Sequence, residues 1–376
     1  MAVGAADPAG GPAGESRALN QDDLTRALGW FWHPVATVAE AEAAGGVVAA
    51  RLLGRDLAVA RLEPGKVAVL DDRCPHRSTR LSVGCVDRGA IRCAYHGWRW
   101  DPSGACVEIP SAPAAPIPSR FRQGAYEGAE RHGLLWARLH ANPVTSIPAL
   151  PAADQAGMRI VAGAPYTWPT SAPRRVENFV DFAHFAWVHD GTLGNRDHPV
   201  PPDAEVRRQR GELRFSFEPA PLPGDEAEAT ALFGFSAYRM PIPLTVNIEF
   251  DIDGRPGVRR HLWMTASPVD PGVCRSFWFV ARNDEHDRPD EEFLEFQHVV
   301  LAEDEPVVCN QTPAEIPLDP TEELHVRADR ISVEYRRFLR DVVVATAEGP
   351  DALAACLGTD DDQVAPVASS TAAGAR

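Results

Sequence analysis

"CPHRSTRLSVGCVDRGAIRCAYHGW" (residues 74–98) places a Cys-x-His pair and a Cys-x-x-His pair close together in one segment. Its four candidate ligands offer two thiolates and two imidazoles, and each pair supplies one of each: Cys74, His76, Cys93 and His96. Both side-chain types bind transition metals when they converge on one point. The segment therefore predicts a metal centre held between two short loops.

The order of these ligands distinguishes between two kinds of centre. A Cys2His2 zinc finger normally has both cysteines in one pair and both histidines in the other. A Rieske [2Fe-2S] cluster has two cysteines on one iron and two histidines on the second, so mixed pairs on two loops suit it. We predict the two-iron cluster, and the alternatives are a structural zinc site or four unrelated residues in a loop that contains Cys and His.

The residues around these loops predict small β-strands. Residues 47–73, "VVAARLLGRDLAVARLEPGKVAVLDDR", alternate apolar runs with Gly, Asp and Pro turns, which is typical of strands joined by hairpins. The pattern continues to about residue 143, and prolines with polar residues then interrupt it, so we place a domain boundary near residue 145. The tails at 1–18 and 357–376 are poor in large apolar residues and are predicted to be disordered.

The second half of the chain predicts an antiparallel sheet with helices at its ends. Residues 174–190, "RRVENFVDFAHFAWVHD", have helical periodicity. Five strand-like segments follow between 212 and 284, and two helical segments begin at 290 and 330. We expect an α+β fold: an all-β domain at 19–145 and a domain at 146–356 whose antiparallel sheet is covered by helices.

Composition narrows the function classes. The 376 residues carry 37 Lys and Arg against 53 Asp and Glu, a formal net charge of -16, which disfavours a nucleic-acid binder. No run of about 18 apolar residues and no standard export signal is visible, so no membrane partner is expected. Seven scattered cysteines favour a reducing cytoplasm and free thiols at Cys85 and Cys106.

A second metal centre is predicted within 174–190. Asn178, Asp181 and His184 recur every three residues, on one face of the predicted helix. His189 follows five residues later, roughly 140° away, so both histidines reach one metal only if the helix widens or ends between them. We predict a π-type bulge. Two histidines and a carboxylate would form the facial triad of non-heme Fe(II); the alternative is an aromatic-rich core helix.

The motif "CPHR…CAYHGWRW" resembles that of the Rieske non-heme iron oxygenases, and the resemblance extends from "GWFWHPV" (29–35) to "YRRFL" (335–339). It implies that the carboxylate beside His184 and His189 is Asp304, with Glu303 as its neighbour. It also implies that Asp181 bridges His184 to a Rieske histidine, with His96 as the expected partner, and that Asn178 lines the iron site. These two centres would meet across subunits of a head-to-tail homotrimer.

The resemblance implies an O2-dependent reaction with electrons from NAD(P)H, delivered by a separate ferredoxin or flavin reductase. Segments 190–199 and 322–339 resemble hydroxylases of saxitoxin-type pathways, so we predict hydroxylation of a C–H bond in a polycyclic or alkaloid-like metabolite during biosynthesis. The alternatives are oxidative O- or N-demethylation and aromatic cis-dihydroxylation. A pure electron carrier is disfavoured by the second set of metal ligands.

Two further expectations concern the partner and the substrate. Six arginines crowd the first metal loops, and they either steer an acidic ferredoxin or are ordinary solvated charges: Arg73, Arg77, Arg80, Arg88, Arg92 and Arg99. The substrate pocket is expected on alternate residues of the strands at 230–240, 244–250 and 259–267.

Overall fold

The computed structural model describes residues 19–141, 144–201, 203–217, 236–252 and 255–358. The predicted tail at 1–18 and nearly all of the tail at 357–376 lie outside these residues, as does the part of the predicted strand at 230–235. The last helix ends at Leu357, within the range predicted as a tail. In the described part of the chain, no helix is long and apolar enough to cross a membrane.

The N-terminal part contains two antiparallel sheets. The larger has the order β1-β10-β9-β4-β3-β2, with strands β1 His33–Thr37, β2 Val47–Leu52, β3 Arg55–Glu63, β4 Lys66–Asp71, β9 Ala125–Arg131 and β10 Leu134–Arg138. The smaller has the order β5-β6-β7-β8, with strands β5 Cys85–Asp87, β6 Ala90–Arg92, β7 Arg99–Trp100 and β8 Cys106–Glu108. The predicted all-β domain is confirmed.

Two short helices and a tight hairpin complete this part. Helix α1 (Gln21–Leu28) begins at a capping box formed by Asn20 and Asp23, and α2 (Val38–Ala43) begins at a second one. The hairpin between β2 and β3 turns at Leu53 and Gly54, whose φ angles are 50° and 77°. Two consecutive positive φ angles match the twist of the strands that they join.

The second sheet-based domain has eight strands, in the order β11-β18-β17-β16-β15-β14-β13, with β12 also paired to β18. The strands are β11 Arg159–Ala162, β12 Tyr166–Trp168, β13 Arg207–Gln209, β14 Glu212–Phe217, β15 Ser236–Pro241, β16 Thr245–Asp251, β17 Arg259–Asp270 and β18 Val273–Arg282. The helices are α3 Ala172–Asn178, α4 Phe185–Val188, α5 Asp290–Val308, α6 Arg330–Glu348 and α7 Pro350–Leu357. The predicted α+β fold is confirmed.

One core joins the helices to the sheet. It includes Val176 of α3, Tyr335 of α6 and Met264 of β17, all less than 2% exposed. Helix α1 contributes Leu24 and Leu28 to the same core, although its residues fall within the range 19–145 predicted for the all-β domain.

The two domains also contact each other directly. The amides of Leu53 and Gly54 donate to the carbonyls of Pro268 and Val269 at 2.8 Å each. The predicted boundary near residue 145 stays a prediction.

Candidate metal centres

The two loops of the first centre have the same backbone fold. The amide of Cys74 donates to Thr79 O at 2.8 Å, and the amide of Ser78 donates to Cys74 O at 2.9 Å. The equivalent bonds in the loop 93–98 are 2.9 and 3.0 Å. The fifth residue of each loop has a positive φ, 59° at Ser78 and 71° at Gly97. Each of the two matching turns thus presents one Cys and one His side chain in an equivalent position.

The sulfurs of this centre lie inside and the imidazoles outside. Cys74 and Cys93 are 1% and 2% exposed, whereas His76 is partly exposed and His96 is exposed. The two imidazole rings are 4.5 Å apart between centroids. Burial, with the nearby thiol of Cys93, raises the pKa of Cys74, since both disfavour a thiolate in the metal-free chain.

The donor set fits a two-iron cluster. Nδ1 of His76 is buried and has no hydrogen-bond partner among the described residues, so it is available to a metal. Trp98 stacks on the His76 ring at 4.4 Å and holds its orientation. Buried thiols with outward imidazoles suit a cluster whose histidine-bound iron lies near the surface.

The predicted single helix at 174–190 is wrong, and so is the predicted π-type bulge. Helix α3 ends at Asn178, and the side chain of Asp181 accepts a hydrogen bond from the amide of Ala183 at 3.0 Å. Such a local bond competes with helical bonding, so Asn178, Asp181 and His184 do not share one helix face. Between His184 and His189 the backbone bonds span four residues, and α4 ends before His189.

Because α4 ends before His189, both histidines approach one carboxylate. Nε2 of His184 lies 3.5 Å and Nε2 of His189 lies 3.2 Å from Oδ1 of Asp304. One ligand atom from each of the three residues lies within 4.8 Å of the others. Two imidazoles and one carboxylate that converge from one side on a single metal position are the donor set of the facial triad. The residues present therefore fit Fe(II).

The charges of the second centre compensate each other. Burial alone would lower the pKa of His184, but the nearby carboxylates of Asp181 and Asp304 outweigh burial and raise it to about 9. Burial would raise the pKa of Asp304, but its contacts with His184 and His189 outweigh burial and hold it well below its usual range. Each group of the centre thus stabilises the charged form of its neighbour despite burial.

Comparison with known proteins identifies the family. Residues 31–120 match the Rieske [2Fe-2S] domain, and residues 168–345 match the vanillate O-demethylase oxygenase C-terminal domain. The chain is 37% identical over 342 residues to methylxanthine N1-demethylase NdmA of Pseudomonas putida, covering 89% of this chain and 95% of that protein. The chain belongs to the Rieske non-heme iron oxygenases.

Two further relatives extend this similarity. Methylxanthine N3-demethylase NdmB of Pseudomonas putida is 39% identical over 332 residues, covering 86% of this chain and 91% of that protein. The solved structure of Pseudomonas putida CBB5 NdmA with caffeine has a TM-score of 0.82 at 37% identity, covering 89% of this chain and 96% of that chain. Members of this family use a [2Fe-2S] cluster, a mononuclear iron and electrons from a reductase.

Of the other predicted site residues of this oxygenase, Asn178 lies inside the second centre and Asp181 at its edge. The Asn178 amide donates to Oδ1 of Asp304 at 3.1 Å and lies 3.4 Å from Nε2 of His184. Oδ2 of Asp181 lies 3.8 Å from Nδ1 of His184, beyond hydrogen-bond distance. The Asp181 side chain is 38% exposed, so its carboxylate also reaches the surface.

Sequence reasoning missed Arg175, which stands behind the second centre. Its side chain is fully buried, 3.8 Å from Oδ2 of Asp304. The guanidinium lies over the rings of Trp168 and Phe179 at 4.6 and 4.1 Å and donates to the Tyr166 hydroxyl at 2.8 Å. The sequence shows an arginine three residues before Asn178, but one sequence does not show that this arginine is buried, and burial is what marks it as part of the site.

A large cavity of this oxygenase opens onto the second centre. It has a volume of about 650 Å³, and alternate residues of β15 and β16 form one wall. Strand β17 contributes the consecutive residues 260–262, so the expected alternation holds only for the described parts of β15 and β16. That these strands contact the substrate stays a prediction. Seven Phe and Tyr side chains line the cavity: Phe179, Phe182, Phe185, Tyr238, Phe250, Phe293 and Phe296. The exposed loop residue His198 also lines it.

A second, more polar cavity of about 420 Å³ lies on the other side of the same centre. Asn178, His184 and Asp304 line both cavities, whereas Asp181 lines only the polar one. Exposed apolar side chains stand near it, with Val307 52% and Leu324 99% exposed.

The arginines around the first loops are partly neutralised. Arg88 and Arg99 both contact Glu108, and Arg92 lies 3.8 Å from Asp87. A basic surface that could steer an acidic ferredoxin is therefore smaller than the six arginines in the sequence suggest. All seven cysteines are free, and Cys85 accepts a hydrogen bond from Arg92 at 3.3 Å.

Proposed function

We propose that this oxygenase removes an N-methyl group from a flat N-methylated heterocycle of the purine type. The observation that carries the proposal is the aromatic cavity opening directly onto His184, His189 and Asp304. Flat aromatic rings stack on such walls, and a volume of about 650 Å³ is within the usual range for small-molecule sites. The similarity to two methylxanthine demethylases over nearly the whole chain supports the same substrate class.

Demethylation and the predicted hydroxylation share one chemical step. Insertion of one oxygen atom into a methyl C–H bond, with two electrons and two protons reducing the second atom to water, converts N–CH3 into N–CH2OH. The N–C bond then breaks, releasing formaldehyde and leaving N–H. The outcome depends on which C–H bond the cavity turns toward the metal, so N-demethylation is a special case of C–H hydroxylation.

We assign the metal ligands by their geometry. Cys74, His76, Cys93 and His96 would hold the [2Fe-2S] cluster, and one iron would be held by the triad of His184, His189 and Asp304. When bound, the cluster supplies single electrons and the iron supplies oxygen activation.

The chain's own residues prepare this site. Asn178 holds Oδ1 of Asp304 by its amide, and Arg175 places a buried positive charge near Oδ2. The aromatic walls exclude water and hold the substrate ring.

Gln297 is the polar group that we assign to substrate orientation. It is buried, lines the cavity and stands seven residues before Asp304 on α5. Seven residues complete almost two helical turns, so both side chains share a face and lie about 10 Å apart along the axis. A bicyclic ring bound between them would place its carbonyl on the Gln297 amide and its methyl group near Asp304.

The surface position of Asp181 supports a homotrimer. We propose that exposed His96 of one copy docks at the polar cavity of the next and reaches His184 through Asp181. Head-to-tail contacts of this kind close into a ring. The electron donor would be a separate ferredoxin or flavin reductase, and the free thiols suit a cytoplasmic setting.

The test uses purified protein loaded with both metals, a reductase, NADH and a panel of singly methylated xanthines. We expect one equivalent each of formaldehyde and N–H product per O2 consumed, and product that has lost CH2. His184→Ala is the matched control, since it should keep the cluster absorption but abolish turnover. A product that keeps its methyl group and gains oxygen would overturn N-demethylation in favour of ring hydroxylation.

A further inference from the structure

Glu303, the neighbour of Asp304, faces the other side of His189. Its Oε2 lies 2.7 Å from Nδ1 of His189, and its Oε1 accepts a hydrogen bond from Oγ1 of Thr192 at 2.7 Å. Consecutive helix residues point about 100° apart. Asp304 can therefore approach Nε2 of His189 while Glu303 holds Nδ1, so one turn of α5 contacts both ring nitrogens.

The contact with Glu303 fixes both the tautomer and the rotation of the imidazole. An ionised carboxylate only accepts hydrogen bonds, so Nδ1 of His189 carries the proton and donates to Glu303, which leaves the lone pair on Nε2, 3.2 Å from Oδ1 of Asp304. His189 is 1% exposed, so solvent does not compete for Nδ1. His184 differs, because its Nδ1 is buried without a hydrogen-bond partner in the described residues. The two histidines are thus held unequally.

The second oxygen of Glu303 connects this contact to the substrate cavity. The carbonyl of His189 accepts hydrogen bonds from the amides of Thr192, Leu193 and Gly194 at 2.9 to 3.0 Å. Leu193, Gly194 and Asn195 line the cavity wall. Thr192 therefore joins Glu303 to a segment that wraps His189 on one side and faces the substrate on the other.

We propose that Glu303 is a positioning residue that orients His189 toward the metal and, through Thr192, anchors the adjoining cavity wall. The inference rests on the proposed iron site at His184, His189 and Asp304, but it does not depend on the substrate. Carboxylates that hold a metal-binding histidine in this way raise metal affinity and are costly to remove.

The test compares iron retention among variants of the full-length protein. Glu303→Ala, Glu303→Gln and wild type are loaded with iron and dialysed against a weak chelator, and iron is measured per [2Fe-2S] cluster. Cluster absorption reports that each variant is folded. Glu305→Ala is the matched control, because it removes an exposed carboxylate on the other side of Asp304.

We expect Glu303→Ala to lose iron about 10 to 100 times faster than wild type, and Glu305→Ala to match wild type. Glu303→Gln should retain most of the iron, since an amide oxygen still accepts from His189 and its NH2 still donates to Thr192. Equal retention in Glu303→Ala and Glu305→Ala would overturn the proposal. Equal loss in Glu303→Gln and Glu303→Ala would assign the effect to charge and would also overturn it.

Thr192→Val tests the connection to the cavity. It leaves the contact between Glu303 and His189 in place, so iron retention and the spectrum of the ferrous nitric oxide complex should match wild type. KM for a turned-over methylxanthine should rise several-fold, and unchanged KM would overturn the anchoring role. Iron-loaded wild type that does not demethylate would overturn the proposed function, while the retention series would still decide the role of Glu303.

Discussion

Arg336→Met should destabilise the protein strongly, because it leaves a buried carboxylate without its main partner. Nε and Nη2 of Arg336, on α6, contact the two carboxylate oxygens of Glu177, on α3, at 2.5 and 2.8 Å. The side chains are 5% and 10% exposed. Arg336 also contacts Glu323 at 2.6 Å. These carboxylates help to raise the pKa of Arg336 above its usual value, against the effect of its burial.

The expected loss of stability follows from this burial. Removing one partner of a buried ion pair costs about 3 to 5 kcal/mol, because the remaining charge loses its compensation. Arg174 stays 3.8 Å from Glu177 and offers partial compensation, so we expect about 3 kcal/mol. At about 2 to 4 °C per kcal/mol for a domain of this size, Tm should fall by roughly 6 to 12 °C.

The assay is thermal unfolding followed by far-ultraviolet circular dichroism at fixed metal loading. Arg337→Met is the matched control, because Arg337 is the next residue of α6, is 63% exposed and has a longer contact of 3.8 Å. The double variant Arg336→Met with Glu177→Gln should recover much of the loss, since the buried charge is then gone. The reasoning is refuted if Arg336→Met and Arg337→Met unfold at the same temperature.

Three further predictions concern binding, packing and pH. Gln297→Leu should raise KM about fivefold with little change in cluster content, because one substrate hydrogen bond is worth about 1 kcal/mol; steady-state kinetics on a methylxanthine would check it, and unchanged KM would contradict it. Gly194→Ala should lower iron retention, because an added Cβ would lie 2.3 Å from Phe185 O; metal analysis after dialysis measures this, with Gly272→Ala as the control, since its added Cβ would approach only Ala314 Cβ, at 3.3 Å. Burial lowers the pKa of His33 from 6.5 to about 4. Between pH 6.5 and pH 4 the unfolded chain therefore binds more protons at His33 than the folded chain does. The free energy of unfolding, at its full value above pH 6.5, should fall by about 2 kcal/mol at pH 5. Denaturant unfolding at pH 7 and pH 5 should show this difference reduced in His33→Gln.

Much of the fold and of the metal chemistry could be predicted because its signals are local. The Cys and His residues of 74–98 belong to two turns, and their spacing alone restricts the centre they can form. The strand at 244–250, "LTVNIEF", alternates apolar and polar residues, and this pattern is visible within a few adjacent positions. In each case the residues that form the pattern lie within a few positions of one another.

The errors arose where distant or side-chain contacts decide the backbone. The helical pattern at 174–190 is real, but the carboxylate of Asp181 bonds the amide of Ala183 and ends the regular repeat. Periodicity counts apolar positions and does not include such a bond. The pair Glu303 and Asp304 shows the same limit, because only the position of His189, more than 100 residues away in sequence, assigns each carboxylate to one ring nitrogen.

Two cavities of different polarity reach the second centre. Both histidines line the aromatic cavity, whereas Asp181 lines only the polar cavity and lies 3.8 Å from Nδ1 of His184. Under the proposed function, substrate approaches the triad from the first side and electrons from the second. Side chains such as Gln297 can then change which methyl group is presented without altering the path through Asp181. We therefore expect substitutions in the aromatic wall to change substrate preference, and substitutions around Asp181 to slow all substrates equally.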